Sequence, residues 1–267
     1  MPPIITSAHN PTVKQLKKLV TSAKTRKETN TYIAEGTHLT HSYLASGQTP
    51  FCFVVAESAM KNPEVVELTT TLLSRDIQCD MLSDTLFESF ASIHASVGII
   101  LLFRTTQPQI ADITLTSSCI VLEDVQDPGN LGTILRTATA AGVKSAILSP
   151  RCASAWSPKA LRAGMGAQFS ITIYEDIDVL QFVTDSPLPT LVTTLSSRST
   201  SLYETDLKKP VAWILGNEGQ GVSEALTNAA TTHISIPQAD TPVESLNVAA
   251  AAAICLYEQY RQLHTTN

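Results

Sequence analysis

The chain has 267 residues, 43% of them apolar and 16% charged, against about 25% charged in an average soluble domain. This excludes a disordered chain and leaves room for one large core or two ordinary ones. Eighteen basic against 24 acidic residues give a net charge of −6, which argues at first sight against a nucleic-acid partner.

The longest apolar stretches, 97–103 and 248–257, fall well short of the ~18 residues of a membrane span. The opening Met1-Pro2-Pro3-Ile4-Ile5 lacks the charged start and apolar block of a secretory signal. The expectation is therefore a cytoplasmic protein with no membrane partner. Cys52, Cys79, Cys119, Cys152 and Cys255 are odd in number and widely spaced. They are expected as reduced, mostly buried thiols rather than a disulfide framework or a metal knuckle.

Charge is uneven along the chain. The first thirty residues hold Lys14, Lys17, Lys18, Lys24, Arg26 and Lys27 against Glu28, a local +5 that leaves −11 for the rest. Asn10-Pro11 followed by Val13, Leu16, Leu19 and Val20 predicts a capped helix with an apolar stripe. Its lysines line the other face, as a solvated surface or as an RNA contact.

Strand-like and helix-like runs then alternate. Strands are predicted at 32–34, 51–56, 78–82 and 98–103, and helices at 37–45, 63–74 and 84–91. The polar stretch Thr105-Thr106-Gln107-Pro108-Gln109 closes this small α/β unit and marks a boundary between domains at 1–107 and 113–267. A second alternation has strands at 119–125, 145–148, 171–174, 191–195, 211–215 and 233–236, a helix at 131–141 and a final helix at 245–263. Strands alternating with helices predict a parallel sheet.

Ligands of an open parallel sheet bind at the carboxyl ends of its strands, and three loops there are unusual. The first, Asp127-Pro128-Gly129-Asn130-Leu131-Gly132, leads into a helix carrying Arg136, and it lacks the glycine fingerprint of a dinucleotide or NTP site. Arg136 reads as a site cation or as half of a surface ion pair. The second, Gly216-Asn217-Glu218-Gly219-Gln220-Gly221, follows an apolar strand, as a ligand cradle or as a plain glycine turn. The third is Ile234-Ser235-Ile236-Pro237, then Val243-Glu244-Ser245-Leu246-Asn247-Val248, where Ser245 or Asn247 can also serve simply as a helix cap.

Together these loops resemble the three ordered motifs of the SpoU (TrmH) family of RNA methyltransferases, in the SPOUT superfamily. Asn130, Gly132 and Arg136 match the first, Gly216-Asn217-Glu218-Gly219 with Gly221 the second, and Ile236-Pro237 with 244–248 the third. The stretch 157–166 resembles the family's linking segment. Ile5-Thr6-Ser7, Asn10-Pro11, Val13-Lys14 and Glu35-Gly36 resemble the opening of its substrate-binding domain, which is similar to RNA-binding ribosomal proteins.

The resemblance implies an α/β fold whose C-terminal parallel-sheet domain carries a deep trefoil knot. It also implies S-adenosylmethionine as cofactor, a ribose 2′-hydroxyl of RNA as acceptor and a homodimer. Carried over, the cofactor residues are Thr194, Leu195, Ser196, Gly216, Asn217, Glu218, Gly219, Ile236, Ser245, Leu246 and Asn247. The catalytic residues are Arg136, Asn130 and Ser245, and RNA contacts fall to Lys14, Lys17, Lys18, Arg26 and Lys27. Three departures stand out: a loop 238–243 about one residue longer than the common form, with Gln238 where Met is usual, Ala249 in place of Ser, and Gly164 in place of a frequent Ser.

An arginine stays protonated in proteins, so Arg136 is expected to orient the hydroxyl or the adjacent phosphate and stabilise the developing alkoxide rather than act as base. Glu218 reads as a structural residue of the cofactor loop. His38 and His41, three residues apart, lack a third ligand, and no metal is expected. The separate N-terminal domain favours ribosomal over transfer RNA by family analogy. An antibiotic-resistance enzyme, a non-catalytic knotted RNA-binding or ribosome-assembly protein, and a nucleotide-dependent α/β enzyme are the competing readings.

Overall fold

A computed structural model describes residues 2–90, 97–110, 113, 115–196, 199–240 and 245–264. They form two compact units, one of Met1–Thr106 with Trp156–Phe169 and one of Gln107–Ala155 with Ser170–Asn267. A single linear boundary does not describe this division, because the segment 156–169 packs with the N-terminal residues.

The first unit has strands β1 (Ile4–Ile5), β2 (Tyr32–Glu35), β3 (Cys52–Ala56), β4 (Gln78–Leu82) and β5 (Ile99–Phe103), in the sheet order β1-β4-β3-β5-β2. β5 is antiparallel to both neighbours and the other pairs are parallel. β2, β3 and β5 are buried at every residue, as runs without polar alternation require. Helices α1 (Pro11–Thr21), α2 (Ala23–Thr29), α3 (Thr37–Ala45), α4 (Pro63–Leu73) and α5 (Asp84–Glu88) complete it, with Pro158–Gly164, α7 in chain order. Residue 91, the end of the helix predicted at 84–91, lies outside the described residues. Trp156 and Phe169 join Tyr32, Tyr43 and Phe103 in one aromatic cluster, with Phe169 edge-on to Tyr43 and Phe103 at 5.1 and 5.5 Å. This cluster recruits 156–169 into the first core.

In α1, Asn10 accepts a hydrogen bond from Thr12 N, Pro11 occupies the first turn, and Val13, Leu16 and Leu19 are fully buried. Lys14, Lys17 and Lys18 are exposed on the opposite face, and Lys27 is exposed on α2. Arg26 departs from its expected role as an RNA contact. It is 7% exposed, and its Nη1 donates to Leu19 O at 2.6 Å and Val20 O at 3.2 Å. It caps the last carbonyls of α1, where a cation also meets the negative end of the helix dipole. α2 itself was not predicted, because Ala-Lys-Thr-Arg-Lys-Glu-Thr has no apolar stripe to reveal it.

The second unit has strands β6 (Cys119–Leu122), β7 (Ser145–Leu148), β8 (Thr172–Tyr174), β9 (Thr190–Thr193), β10 (Thr200–Ser201), β11 (Ala212–Leu215) and β12 (Thr232–Ser235). All pairs are parallel, in the order β10-β12-β9-β11-β6-β7-β8. Helices α6 (Pro128–Ala140), α8 (Val179–Thr184), α9 (Glu224–Ala229) and α10 (Val248–His264) flank it. On one face Cys119, Val121, Val192 and Ile214 pack with Val179, Val183 and Leu226. On β11, fully buried Trp213 donates through Nε1 to Gln259 Oε1 of α10 at 2.8 Å. Among the described residues no helix is long and apolar enough to cross a membrane.

Among the boundaries that differ from the sequence reading, those of β6 and α6 have local reasons in the first-motif loop. β6 ends at Leu122 rather than 125, because Asp124 takes a left-handed φ of 55° and turns the chain out of the sheet. α6 begins at Pro128 rather than 131, because Asp127 accepts from Asn130 N at 2.9 Å and proline fits the first turn.

Candidate functional site

A cavity of about 400 Å³ lies in the second unit at the carboxyl ends of β9, β11 and β12, where a parallel sheet offers its ligand crevice. Of the predicted cofactor residues, Thr194, Leu195, Gly216, Asn217, Glu218, Gly219, Ile236, Ser245 and Leu246 line it. Ser196 and Asn247 do not line it, and neither do Asn130 or Arg136. Ile234, at the start of the third loop, also lines the wall, and so do Thr193, Thr227 and Ala251, to which no sequence motif pointed. Gln238, the departure from the family pattern, is part of it too. Residues 241–244, which include Glu244 of the third motif, lie outside the described residues.

The second-motif loop is a closed backbone turn. Asn217 N donates to Gly221 O at 3.0 Å and Gly221 N returns to Asn217 O at 2.9 Å. A Cβ on Gly216 would lie 2.3 Å from the Gly221 carbonyl and 2.4 Å from Val222 N, so only glycine fits. Asn217 stiffens the turn from inside: its Oδ1 accepts from Gly219 N and Gln220 N, and its Nδ2 donates to Asp124 O at 2.9 Å. At the far end Ser223 N donates to Glu123 Oε2 at 2.7 Å. Sequence reasoning missed Glu123, whose partner is a hundred residues away.

Glu218 joins the second motif to the first. Its carboxylate accepts from Gln126 N at 3.3 Å, Asp127 N at 3.2 Å and Asn130 Nδ2 at 3.1 Å. Burial raises its carboxyl and these hydrogen bonds lower it, led by the bond from Asn130; the bonds prevail and hold it below the ordinary glutamate value. Asn130 Oδ1 in turn accepts from Asn247 Nδ2 at 3.0 Å, while Asn247 Oδ1 caps α10 by accepting from Ala249 N and Ala250 N. α10 consequently starts at Val248 rather than 245, and Asn247 is both cap and link. A chain of side chains, Glu218 to Asn130 to Asn247, thus ties the cavity loops to the start of α6.

Arg136 sits on α6, exposed and without a hydrogen bond or ion pair among the described residues. The surface ion pair allowed by the sequence is not formed there. His38 Nε2 lies 3.3 Å from Met165 O and His41 pairs with Glu64 at 3.2 Å, so the two histidines face different partners.

The cavity fits a ligand with an adenosine-like moiety: the glycine-rich turn Gly216 to Gly221 and apolar Leu195, Leu215, Ile234, Ile236, Leu246 and Val248 line it. Residues 117–257 match the model of the SpoU rRNA methylase family, and residues 10–100 match an MRM3-like substrate-binding domain. An uncharacterised tRNA/rRNA methyltransferase of Synechocystis sp. is 35% identical over 97% of this chain and 93% of its own length. The 23S rRNA (guanosine(2553)-2′-O)-methyltransferase RlmP of Bacillus subtilis is 33% identical over 95% and 97%. The crystal structure of an AdoMet-bound rRNA methyltransferase from Sinorhizobium meliloti, 29% identical, superposes with a TM-score of 0.86 over 98% of this chain and 99% of that one. The chain belongs to the SpoU rRNA methylase family and has its SPOUT-type α/β fold.

Proposed function

We propose that this protein methylates a ribose 2′-hydroxyl of ribosomal RNA, with S-adenosylmethionine as donor. The observation that carries this reading is the cavity built from three separated loops, with a glycine turn that excludes any side chain at Gly216. S-adenosylmethionine supplies an electrophilic methyl group on a sulfonium when bound. Gly216 to Gly221 would hold its adenosine by backbone groups, with Thr194, Leu195, Ile236 and Leu246 around it and Ser245 at the rim.

Arg136 is the cation available for the acceptor. Its guanidinium would hold the ribose hydroxyl or the neighbouring phosphate and stabilise negative charge on the ribose oxygen. Asn130 acts in this reading as a positioning residue, since both ends of its carboxamide are engaged by Glu218 and Asn247. Lys14, Lys17, Lys18 and Lys27 would meet phosphates.

The active form in this reading is a homodimer, as the family resemblance implies, with a trefoil knot in each C-terminal unit. The outer face of α10 supports the pairing. Tyr257 and Tyr260 on α10, with Leu246 just before it, are 49%, 38% and 36% exposed, while Val248, Ala249, Ala252, Cys255, Leu256 and Gln259 are the face buried within the chain. Light scattering of the purified protein tests this, with a monomeric mass as the contrary result. Mapping 2′-O-methyl groups in ribosomal RNA from a strain lacking the gene tests the activity. A single lost methyl group is expected, and an unchanged ribosomal RNA map would contradict the reading.

A further inference from the structure

Of the Phe, Tyr and Trp side chains among its described residues, the first unit exposes one, Phe51, at 40% of its full surface. The Arg104 guanidinium lies over its ring, 5.2 Å from the centroid. Arg104 is itself exposed and has no carboxylate partner among the described residues. A partly exposed ring with a guanidinium over it presents π surface and positive charge together at the surface.

Both residues stand at one end of the sheet. Phe51 precedes β3 and donates its N–H to Leu102 O at 3.2 Å, while Arg104 directly follows β5. Asn30, which ends α2 in a left-handed turn, donates through Nδ2 to Thr105 O at 2.8 Å. That bond brings the end of the basic arm, with exposed Lys27 one turn earlier, beside Arg104. Arg75 and Asp76, of opposite charge, precede β4 at the same end, where Cys52 pairs with Gln78.

We infer that Phe51 and Arg104 form a stacking platform for an unpaired RNA base, with Arg104 and Lys27 facing the adjoining phosphates. The inference rests on the reading of the substrate as RNA, and it adds a preference for single-stranded over paired RNA. Lysines alone read charge and do not separate the two, whereas an aromatic face takes only a base that has left its helix.

The test is fluorescence anisotropy of the full-length protein with two labelled RNAs, a stem-loop carrying a single-stranded loop and a blunt duplex. Phe51→Ala is expected to weaken stem-loop binding about tenfold and leave the duplex unchanged. Phe51→Trp is expected to retain stem-loop binding. Arg104→Ala should also lower the salt dependence by about one phosphate contact. Wild-type affinity of Phe51→Ala for both RNAs, or an equal loss for both, would overturn the platform while leaving RNA binding intact. Wild-type protein that binds neither RNA would overturn the RNA reading itself, and the platform with it; calorimetry with S-adenosylmethionine reports separately on the cofactor site.

Discussion

At the scale of single residues, what decides the site is which atoms have room and which have partners. Gly216 faces backbone at 2.3 Å, whereas a Cβ on Gly219 would meet only Asn217 Oδ1 at 3.6 Å. Gly216→Ala is therefore expected to weaken S-adenosylmethionine binding by at least about tenfold, or ~1.4 kcal/mol, and Gly219→Ala to change it little. Calorimetry on the two variants checks the contrast, and equal affinities would refute the cradle. The sequence displayed both glycines alike; only the closed turn between Asn217 and Gly221 separates them. Arg26 teaches the same lesson in the other direction. Among the basic residues of the first thirty it looks like its neighbours, yet its guanidinium closes α1. Arg26→Ala should lower the melting temperature, by the loss of charge-assisted hydrogen bonds worth about 2 kcal/mol.

At the scale of elements, apolar periodicity made the strands and the long helices legible, since burial on one or both faces leaves a direct trace in sequence. It missed α2 and β10, which are short and polar, and β1, whose two residues are too few to show a period. On α10, rich in alanine, apolar side chains lie all round, and packing against α6 and β11 selects the face buried within the chain. The three loops were recognisable one by one, but the Glu218–Asn130–Asn247 chain that joins them spans 88 and 117 residues of sequence and had no local signal. Asn247→Ala removes the α10 cap, worth about 1 kcal/mol, and cuts the link to Asn130. Stability and cofactor affinity should fall together, and a variant that loses stability alone would separate cap from link.

Two carboxylates set a pH dependence, Glu218 of that chain and Glu258 on α10. Glu218 is held below its ordinary value, and Glu258 lies at about 2, held by its hydrogen bond from Arg261 and, less strongly, by Gln262. Depressed carboxylates contribute stability that is fully present above their unfolded values, about pH 4.3, and is lost as pH falls through the folded ones. Denaturant titrations should show a stability plateau above about pH 5 and a decline below about pH 4. Glu218→Gln should lower the plateau and flatten the decline, and an unaltered profile would remove Glu218 from the account.

At the scale of the whole molecule, the net charge of −6 conceals a basic arm on an acidic body. RNA contact by exposed Lys14, Lys17, Lys18 and Lys27 predicts that affinity falls steeply with salt, and that replacing these lysines flattens the dependence by about 0.7–0.9 for each phosphate no longer neutralised. Arg26→Ala should leave that slope unchanged. The central claim is methyl transfer to a ribose oxygen. Its most direct measurement incubates the purified protein with radiolabelled S-adenosylmethionine and unmodified ribosomal RNA, then digests the RNA to nucleosides. Label in a 2′-O-methylated nucleoside is predicted, with the rate reduced about 10²- to 10³-fold in Arg136→Ala. Label on a base, no label at all, or full activity in that variant would contradict the account.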